Sequence, residues 1–258
     1  MLSADTHVHV YPAHDAAVAF HSALDHLARL AGSPANLHRA SLLTERTDCD
    51  AFGAWSAGRD IPVGFHIAPA PQPGVLLVTR ESDGARLHVF AGRQLVTAEN
   101  LEVLALLCPT RVPERLSTTA TLDAVRQAGG IPALCWAPGK WTGRRGSVVR
   151  GILLAWSGEP LLLGDTPMRA RGVPEPAPMK LARRRGLPVV AGTDPLPFAS
   201  DERITGTYGI VSDAFDPAHP LDSMRDLLLQ ARFTIAGERN PLPRAATRWL
   251  NARKAGRA

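Results

Sequence analysis

The sequence has few aromatic residues, few cysteines and no long hydrophobic run. Phe, Trp and Tyr together make up 5% of its 258 residues, and no apolar run approaches the roughly 18 residues of a membrane-spanning helix. The N-terminus also lacks the basic and apolar segments of a secretory signal. We therefore expect a cytoplasmic protein that does not enter a membrane.

The three cysteines exclude two further classes of protein. Cys49, Cys108 and Cys135 are odd in number and widely spaced, and no CxxC pair is present. This pattern argues against a disulfide framework and against a zinc ribbon. Cys108 and Cys135 lie in apolar runs, so we interpret them as small buried side chains.

Length and composition predict one globular domain. The content of 45% hydrophobic and 21% charged residues is typical of folded soluble proteins, and α/β barrels of this length occur as single domains. We expect one domain over residues 1–258, with a core at about 3–235 and a C-terminal helical tail at about 236–258.

The net charge of +5 raises the question of an acidic partner. The arginine run at 183–185 closes a predicted helix, where cations are favourable on dipole grounds. The other basic cluster lies in the tail and consists of Arg248, Arg253, Lys254 and Arg257. Few aromatic residues accompany these cations, so we expect a solvated basic face and not a nucleic-acid site.

Hydrophobic periodicity divides the chain into two parts. Residues 14–32 predict an amphipathic helix, and residues 74–107 predict a β-hairpin region with turns at 82–84 and at Asn100. After residue 117, three helix–strand units follow one another. Such units give parallel strands, which occur in an open doubly wound sheet or in a barrel.

Candidate metal ligands stand at the ends of predicted strands. His7 and His9 are two residues apart, so on a strand their rings point to the same face. Asp165 and Asp194 each end a later strand, where parallel α/β folds bind ligands. Two imidazoles and one carboxylate could hold Zn²⁺ or a similar ion and leave positions open for water and substrate.

These residues carry a resemblance to a known family. The opening DTHVH at residues 5–9 resembles the D-x-H-x-H motif of the PHP (polymerase and histidinol phosphatase) domains, and GLPVVAGTDPLP at 186–197 resembles their late G-S-D-A-H-P segment. The resemblance implies a distorted (β/α)7-type barrel and metal-dependent hydrolysis of phosphoesters. It covers roughly residues 3–200 in the family's order.

The chain departs from the family at several expected ligand positions. The residues that stand where the family has other ligands are Glu45, Arg46, Gln94, Trp136 and Pro195. A full trinuclear site cannot be built from what remains. The resemblance then implies one divalent ion (Zn, Mn or Fe), held by His7, His9 and Asp194, with Gln94 and Trp136 nearby.

We consider two functions. The first is a metal-dependent hydrolase for a phosphoester or related small anionic substrate, with Asp165 or Glu45 as general base. Fixed cations would replace the missing metals in binding the substrate; they are Lys140, Arg144 and Arg46, the first two in a loop at 140–145. The alternative is a degenerate barrel that serves as a binding or scaffold protein, with nucleic acid as one partner to consider. The sequence does not indicate an oligomeric state.

Overall fold

Two mixed β-sheets carry the strands of this protein in a computed structural model, which describes residues 1–254. In chain order the strands are β1 (Leu2–Val8), β2 (His38–Leu43), β3 (Phe65–Pro69), β4 (Val75–Arg80), β5 (Arg86–Phe90), β6 (Arg93–Val96), β7 (Glu102–Leu106), β8 (Ile131–Cys135), β9 (Leu162–Asp165), β10 (Val189–Ala191), β11 (Tyr208–Ser212) and β12 (Thr234–Gly237).

The described residues also contain seven α-helices and one 3-10 helix. They are α1 (Ala16–Leu30), α2 (Ala51–Ser56), α3 (Thr118–Gln127), α4 (Gly143–Ala155), α5 (Ala177–Arg184), α6 (Pro220–Leu229) and α7 (Leu242–Lys254), with the 3-10 helix at Asp201–Ile204. Within residues 1–254, none of the helices combines the length and the apolar character needed to cross a bilayer.

The first sheet has the strand order β12-β11-β1-β2-β5-β4-β3, and the second has the order β10-β9-β8-β7-β6. In the first sheet, β1, β2 and β5 are parallel, and the other pairs are antiparallel. In the second sheet, β8, β9 and β10 are parallel. These three strands follow α3, α4 and α5, so the predicted succession of helix–strand units with parallel strands is confirmed.

The two turns predicted within residues 74–107 are also confirmed. Asp83 lies in the first turn, and its carboxylate accepts hydrogen bonds from the Ala85 N–H at 3.1 Å and from Arg80 Nη2 at 2.7 Å. Asn100, with a φ of +62°, lies in the turn between the antiparallel strands β6 and β7. The region therefore contains two hairpins, one in each sheet.

The prediction of a (β/α)7-type barrel is wrong, because the strands of the described residues form two sheets and no closed ring. β11 pairs antiparallel with the first part of β1, and β2 occupies its other edge. β10 is thereby kept from pairing along β1. On the far side of the second sheet, an isolated bridge between Glu45 and Arg93 brings the end of β2 to β6, without a continuous ladder.

The apolar core lies in three layers. The inner cluster contains side chains of both sheets, among them Leu42 and Leu106, together with Met224 of α6. A second cluster, which includes Val149, packs α3, α4 and α5 on the outer face of the five-stranded sheet. A third, which includes Leu24, packs α1 and α2 on the seven-stranded sheet. The two sheets therefore face each other, and helices cover their outer faces.

Helix α1 shows how local sequence sets an element in this fold. The Asp15 carboxylate accepts hydrogen bonds from the N–H groups of Ala17 at 2.8 Å and Val18 at 3.3 Å. A cap of this kind stabilises a helix by about 1 kcal/mol. Leu24 and Leu27 are buried, as the predicted apolar stripe requires. The helix is thus fixed at its start by the cap and along one face by packing.

The C-terminal tail predicted at about 236–258 contains α7, which docks on the rest of the chain. Arg248 of this helix is 9% exposed and forms an ion pair with Asp201. The expectation of a solvated basic face is therefore wrong for Arg248, although Arg253 is exposed. Arg257 lies outside the described residues.

Candidate metal centre

A β-bulge in β1 turns both N-terminal histidines toward the space between the sheets. Ala4 belongs to the inner apolar cluster, so even-numbered residues face inwards at the start of the strand. The register with β2 then shifts between Asp5 and Val8, and Val8 packs in the cluster with α1. Because side chains alternate along a strand, His7 and His9 point inwards after the bulge.

The three residues predicted as metal ligands converge at this point. The Nε2 atoms of His7 and His9 are 3.0 Å apart, and Asp194 Oδ1 lies 3.5 Å and 3.4 Å from them. An ion with tetrahedral bonds of about 2.0–2.1 Å places its ligand atoms roughly 3.3 Å apart. These three residues, the triad below, therefore form a group of the right chemistry and size to hold a metal ion.

Gln94 brings a fourth polar atom to the triad. Its Oε1 lies 3.1 Å from His7 Nε2, so the predicted position of Gln94 near the site is confirmed. His7 Nε2 thus faces His9, Asp194 and Gln94, while an imidazole nitrogen carries at most one hydrogen. Several lone pairs point into one small volume, and a cation there would balance them. Trp136, also predicted to lie here, directly follows Cys135, which contacts His7, and its side chain packs against the outer cluster of the five-stranded sheet.

The backbone around Asp194 is fastened directly to β1. Asp194 has a φ of +49°, a left-handed conformation that is uncommon for a residue other than glycine. Its N–H donates to the His7 carbonyl at 2.9 Å, and Arg248 Nη2 donates to the Asp194 carbonyl at 3.2 Å. At Gly192, an added Cβ would lie 2.5 Å from His7 Cβ, so the close approach of the two segments needs glycine.

Asp5 holds the same two segments together from the other side of β1. Its carboxylate accepts hydrogen bonds from the Thr193 N–H and the Gly206 N–H, each at 2.9 Å, and from the Thr193 hydroxyl at 2.5 Å. Burial raises the pKa of Asp5 to about 6, although these hydrogen bonds oppose the rise. With its oxygens occupied in this way, Asp5 has a structural role and is not part of the triad.

The protonation states of the triad suit a metal ion. Burial lowers the pKa of His7, against the opposing effect of Asp194. Burial alone would raise the pKa of Asp194, but His7, His9 and Arg248 outweigh it and hold that pKa at about 2. Near neutral pH the site therefore contains a neutral His7 ring and a charged carboxylate, which are the forms that bind metals.

Two residues beside the triad were not among the predicted site residues. Cys135 Sγ lies 3.5 Å from His7 Nδ1, and burial raises the pKa of this thiol well above its usual value. The Glu102 carboxyl interacts electrostatically with His7 and Asp194, and its pKa is raised by burial and by Asp194. Lys140 Nζ lies 3.5 Å from Glu102 and opposes that rise.

Asp165, predicted as a general base, ends β9 but is fully occupied by donors. Arg169 donates from Nε to Oδ1 at 2.8 Å and from Nη2 to Oδ2 at 2.5 Å. The Tyr208 hydroxyl and Arg239 Nε donate to Oδ2 at 3.0 Å and 3.2 Å. A carboxylate bound in this way has little capacity to take a proton from water, so the geometry gives no support to that role.

Glu45, the other predicted base, is likewise engaged. It is 2% exposed, accepts a hydrogen bond from the Phe52 N–H at 3.0 Å, and lies 3.6 Å from Arg93 Nη1. Burial raises its pKa, while Phe52 and Arg93 oppose the rise. The Glu45 carbonyl accepts from the Gln94 N–H at 2.9 Å. The backbone of Glu45 is therefore hydrogen-bonded to that of Gln94, but Glu45 does not belong to the triad.

The three cations predicted to bind substrate do not form one cluster. Lys140 is close to the site, because it pairs with Glu102. Arg144 is exposed on the first turn of α4, and Arg46 pairs with Asp48 at 3.4 Å. Of these three, only Lys140 pairs with a residue, Glu102, that interacts electrostatically with His7 and Asp194 within the described residues.

A cavity of about 180 Å³ adjoins the site through Gln94. Its wall includes Glu45 and the two arginines Arg93 and Arg111. Gln94 therefore contacts His7 and also lines a small neighbouring cavity whose wall contains two acidic residues, Glu45 and Glu114, as well as the two arginines.

Fold and site together define an α/β protein with a candidate metal centre between two facing sheets. No protein-family model and no curated protein matches the chain. A similar fold is found in the crystal structure of PsfC from Pseudomonas syringae PB-5123, with a TM-score of 0.51 and 17% identity over 86% of each chain. At this identity the likeness concerns the fold alone, and it supports the α/β architecture.

Proposed function

We propose that the chain is a metal-dependent hydrolase that acts on a phosphoester or a related small anionic substrate. The observation that carries this proposal is the convergence of His7, His9 and Asp194, with atom separations of 3.0 to 3.5 Å. One divalent ion per chain, Zn, Mn or Fe, suits two imidazoles and one carboxylate. The D-x-H-x-H opening shared with the PHP domains supports the same reading.

When bound, the ion would polarise a phosphoryl oxygen and lower the pKa of a water molecule. The protein's own contribution is to hold the ligands in place. The bulge in β1 aims His7 and His9, and the hydrogen bond from the Asp194 N–H to the His7 carbonyl sets the carboxylate beside them. Little reorganisation is then needed for the ion to enter.

Glu102 is the residue we propose for proton transfer. Its side chain is partly buried, burial and Asp194 raise its pKa, and a carboxylate with a raised pKa accepts a proton more readily. Lys140 Nζ, 3.5 Å from the Glu102 carboxylate, opposes the rise of the Glu102 pKa. Asp165 and Glu45 have their oxygens engaged by arginines and backbone donors, so neither is carried into this proposal.

An anionic substrate is supported by the cations around the site. Lys140 lies beside Glu102, and Arg93 and Arg111 stand in the wall of the cavity next to Gln94. A guanidinium group can bind a phosphate through two parallel hydrogen bonds. The same wall contains Glu45 and Glu114, and Arg93 pairs with Glu45 and Asp50. The support for an anionic substrate therefore comes from Arg111 and from the resemblance to the PHP domains.

The test is turnover of p-nitrophenyl phosphate and bis-p-nitrophenyl phosphate by protein reconstituted with Zn²⁺, Mn²⁺ or Fe²⁺. The parent protein should hydrolyse at least one of them. H9A and D194N should abolish turnover together with metal binding, whereas E102Q should lower kcat by about 100-fold or more and retain the metal. R59Q, at an exposed arginine, is the control. Metal binding without turnover of either ester would contradict hydrolysis.

A second function, a binding or scaffold protein without catalysis, is favoured by one observation. Both residues predicted as bases are engaged, Asp165 by Arg169 and Glu45 by Phe52 and Arg93. In that case the E102Q variant would bind metal and anions like the parent, and neither protein would turn over an ester.

A further inference from the structure

A separate cavity lies where the loop after β9 meets the segment between β12 and α7. It measures about 430 Å³, within the range of small-molecule sites, and no residue of the triad lines it. Three arginines stand in its wall, namely Arg171, Arg239 and Arg244. The two segments are joined by hydrogen bonds from the Arg171 N–H to the Asn240 carbonyl at 2.9 Å and from the Asn240 N–H to the Pro167 carbonyl at 3.3 Å.

Arg239 is anchored from behind. Its Nε donates to Asp165 Oδ2 at 3.2 Å and to the Tyr208 hydroxyl at 3.3 Å. Its two terminal nitrogens have no hydrogen-bond partner in the part of the chain that the structure describes, and the side chain is 30% exposed. Arg239 is therefore held in place by one nitrogen while its other donors are left for a ligand in the cavity.

The charges behind the cavity do not balance. Asp165 is shared by two guanidinium groups, those of Arg169 and Arg239, and Arg169 is itself only 3% exposed. One carboxylate thus faces two fixed positive charges, since arginine does not lose its proton in proteins. Within residues 1–254, one positive charge in this group has no counter-charge.

The cavity wall adds a second unbalanced charge. Arg171 pairs with Glu238 at 2.7 Å, so these two neutralise each other at the exposed rim. Arg244 forms no ion pair within residues 1–254. Even with Glu238 counted, the arginines therefore leave an excess of positive charge around the cavity, which an anion would neutralise.

The start of α7 points to the same ligand. α7 begins at Leu242, and Arg244 in its first turn lines the cavity. The first N–H groups of a helix have no partner within the helix and favour negative charge. No acidic residue occupies the first turn of α7. Pro243 has no N–H, and the Ala245 N–H donates to the Pro241 carbonyl at 3.1 Å, so Arg244 is the first-turn residue of the cavity wall that can add a backbone N–H to the side-chain donors.

We propose that this cavity binds a phosphate group, with Arg239 and Arg244 as its ligands. The phosphate is either the free ion or part of a small phosphomonoester, for which the cavity has room. The site is independent of the metal centre, because it shares none of the triad residues.

Isothermal titration with inorganic phosphate tests the proposal. The full chain is treated with a chelator first, so that phosphate cannot bind through a metal. R244Q should weaken binding about tenfold or more, as expected for loss of a charged hydrogen bond, and R239K should weaken it as well. Arg244 is exposed, so R244Q should fold like the parent. R59Q, at an exposed arginine outside the cavity, should bind like the parent.

A parallel titration with glycerol phosphate distinguishes the two sources of the phosphate group. Tighter binding of the ester than of the free ion assigns the site to a phosphomonoester, and equal or weaker binding assigns it to phosphate. The proposal fails if the parent does not bind either compound at millimolar concentration. It also fails if R244Q and R239K bind like the parent, or if K140A/R144A loses the binding while R244Q retains it.

Discussion

Gly192 is the residue on which the position of His7 depends most closely. The end of β10 crosses β1 at this point, and an added Cβ would lie 2.5 Å from His7 Cβ and closer still to its backbone nitrogen. Backbone atoms cannot give way as the end of a flexible side chain can. Any side chain at residue 192 would therefore push the two segments apart and displace the triad.

We predict that G192A weakens zinc binding about tenfold or more and lowers the free energy of unfolding by about 1–3 kcal/mol, the usual cost of overpacking. Zinc titration and urea denaturation measure the two effects. G151A is the matched control, because a Cβ at this position in α4 meets nothing within 4 Å; it should be neutral or slightly stabilising. Unchanged zinc affinity in G192A would show that the contact does not set the site.

His88 makes the stability of the protein depend on pH. Burial, which leaves the residue 8% exposed, lowers the pKa of its ring from 6.5 to about 4, and neighbouring His38 and Arg86 act in the same direction. Between these pH values the unfolded chain binds a proton that the folded chain does not. Stability is therefore lost as the pH falls from about 6.5 to 4.

We predict that H88F removes this pH-dependent part of the free energy of unfolding. On lowering the pH from 7 to 4, the parent should lose about 3 kcal/mol more free energy of unfolding than H88F, from a pKa difference of about 2.5 units. Phe keeps a ring against Phe215, whose centroid lies 5.5 Å from that of His88. Urea denaturation at several pH values gives the comparison. Parallel stability curves for the two proteins would exclude His88 as the cause.

At the scale of elements, α7 holds the segment that contains Asp194 in place. Arg248 donates to the Asp194 carbonyl and forms an ion pair with Asp201, whose other oxygen accepts from the Leu196 N–H. Both ends of the 194–201 segment are thus tied to one side chain of the last helix. Arg248 is a positioning residue, since it holds the backbone of a proposed ligand and not the ion.

We predict that R248Q weakens zinc binding about tenfold and that R248K restores part of the loss, because lysine keeps the charge but not the two-pronged geometry. R248Q should also be less stable, since a broken buried ion pair costs about 3–5 kcal/mol. Affinity is therefore measured well below the melting temperature. R253Q on the exposed side of the same helix is the control. Lower stability with unchanged zinc affinity would leave Arg248 a purely structural residue.

For the candidate site, local sequence predicted some features of the strands and their ends, and contacts distant in sequence decided the others. The spacing of His7 and His9 predicted a shared face, but the inward direction of that face depends on the bulge before Val8. Asp165 and Asp194 had the same pattern, a carboxylate at the end of a strand. Arg169, four residues after Asp165, was a local sign of an ion pair, whereas Arg239 comes from a distant part of the chain.

Two neighbours of the triad had signals that sequence reasoning passed over. Glu102 opens a strand that is otherwise apolar, so its charge required a partner, which is Lys140. Cys135 shares its alternating face of β8 with Ile131 and Ala133, which belong to the inner cluster. Inward direction, together with its place at the end of a strand, would have identified Cys135 as a site neighbour.

At the scale of the whole molecule, the number of helix–strand units was predictable but the closure of the sheet was not. Each unit follows from its own hydrophobic period. Closure depends on which strand pairs with β1, and this is decided by β11 (Tyr208–Ser212), about 200 residues away in sequence. No local pattern reports that pairing, so the barrel expected from the resemblance was wrong.

The candidate centre joins the two sheets. His7 and His9 come from the seven-stranded sheet, while Gln94 belongs to the five-stranded sheet and Asp194 follows its edge strand β10. An ion at this position would link the sheets where no strand ladder does. Because a ligand that binds only the folded state stabilises it, metal content bears on the whole fold as well as on the site.

The most direct test of the central claim is the metal content of the purified chain. Protein without a metal-binding tag is reconstituted with Zn²⁺, Mn²⁺ or Fe²⁺, dialysed and examined by elemental analysis. We predict about one equivalent in the parent and in H66A, an exposed histidine, and less than about a tenth in H9A and D194N. Less than about a tenth of an equivalent in the parent, or a full equivalent in H9A and D194N, would contradict the assignment of the triad.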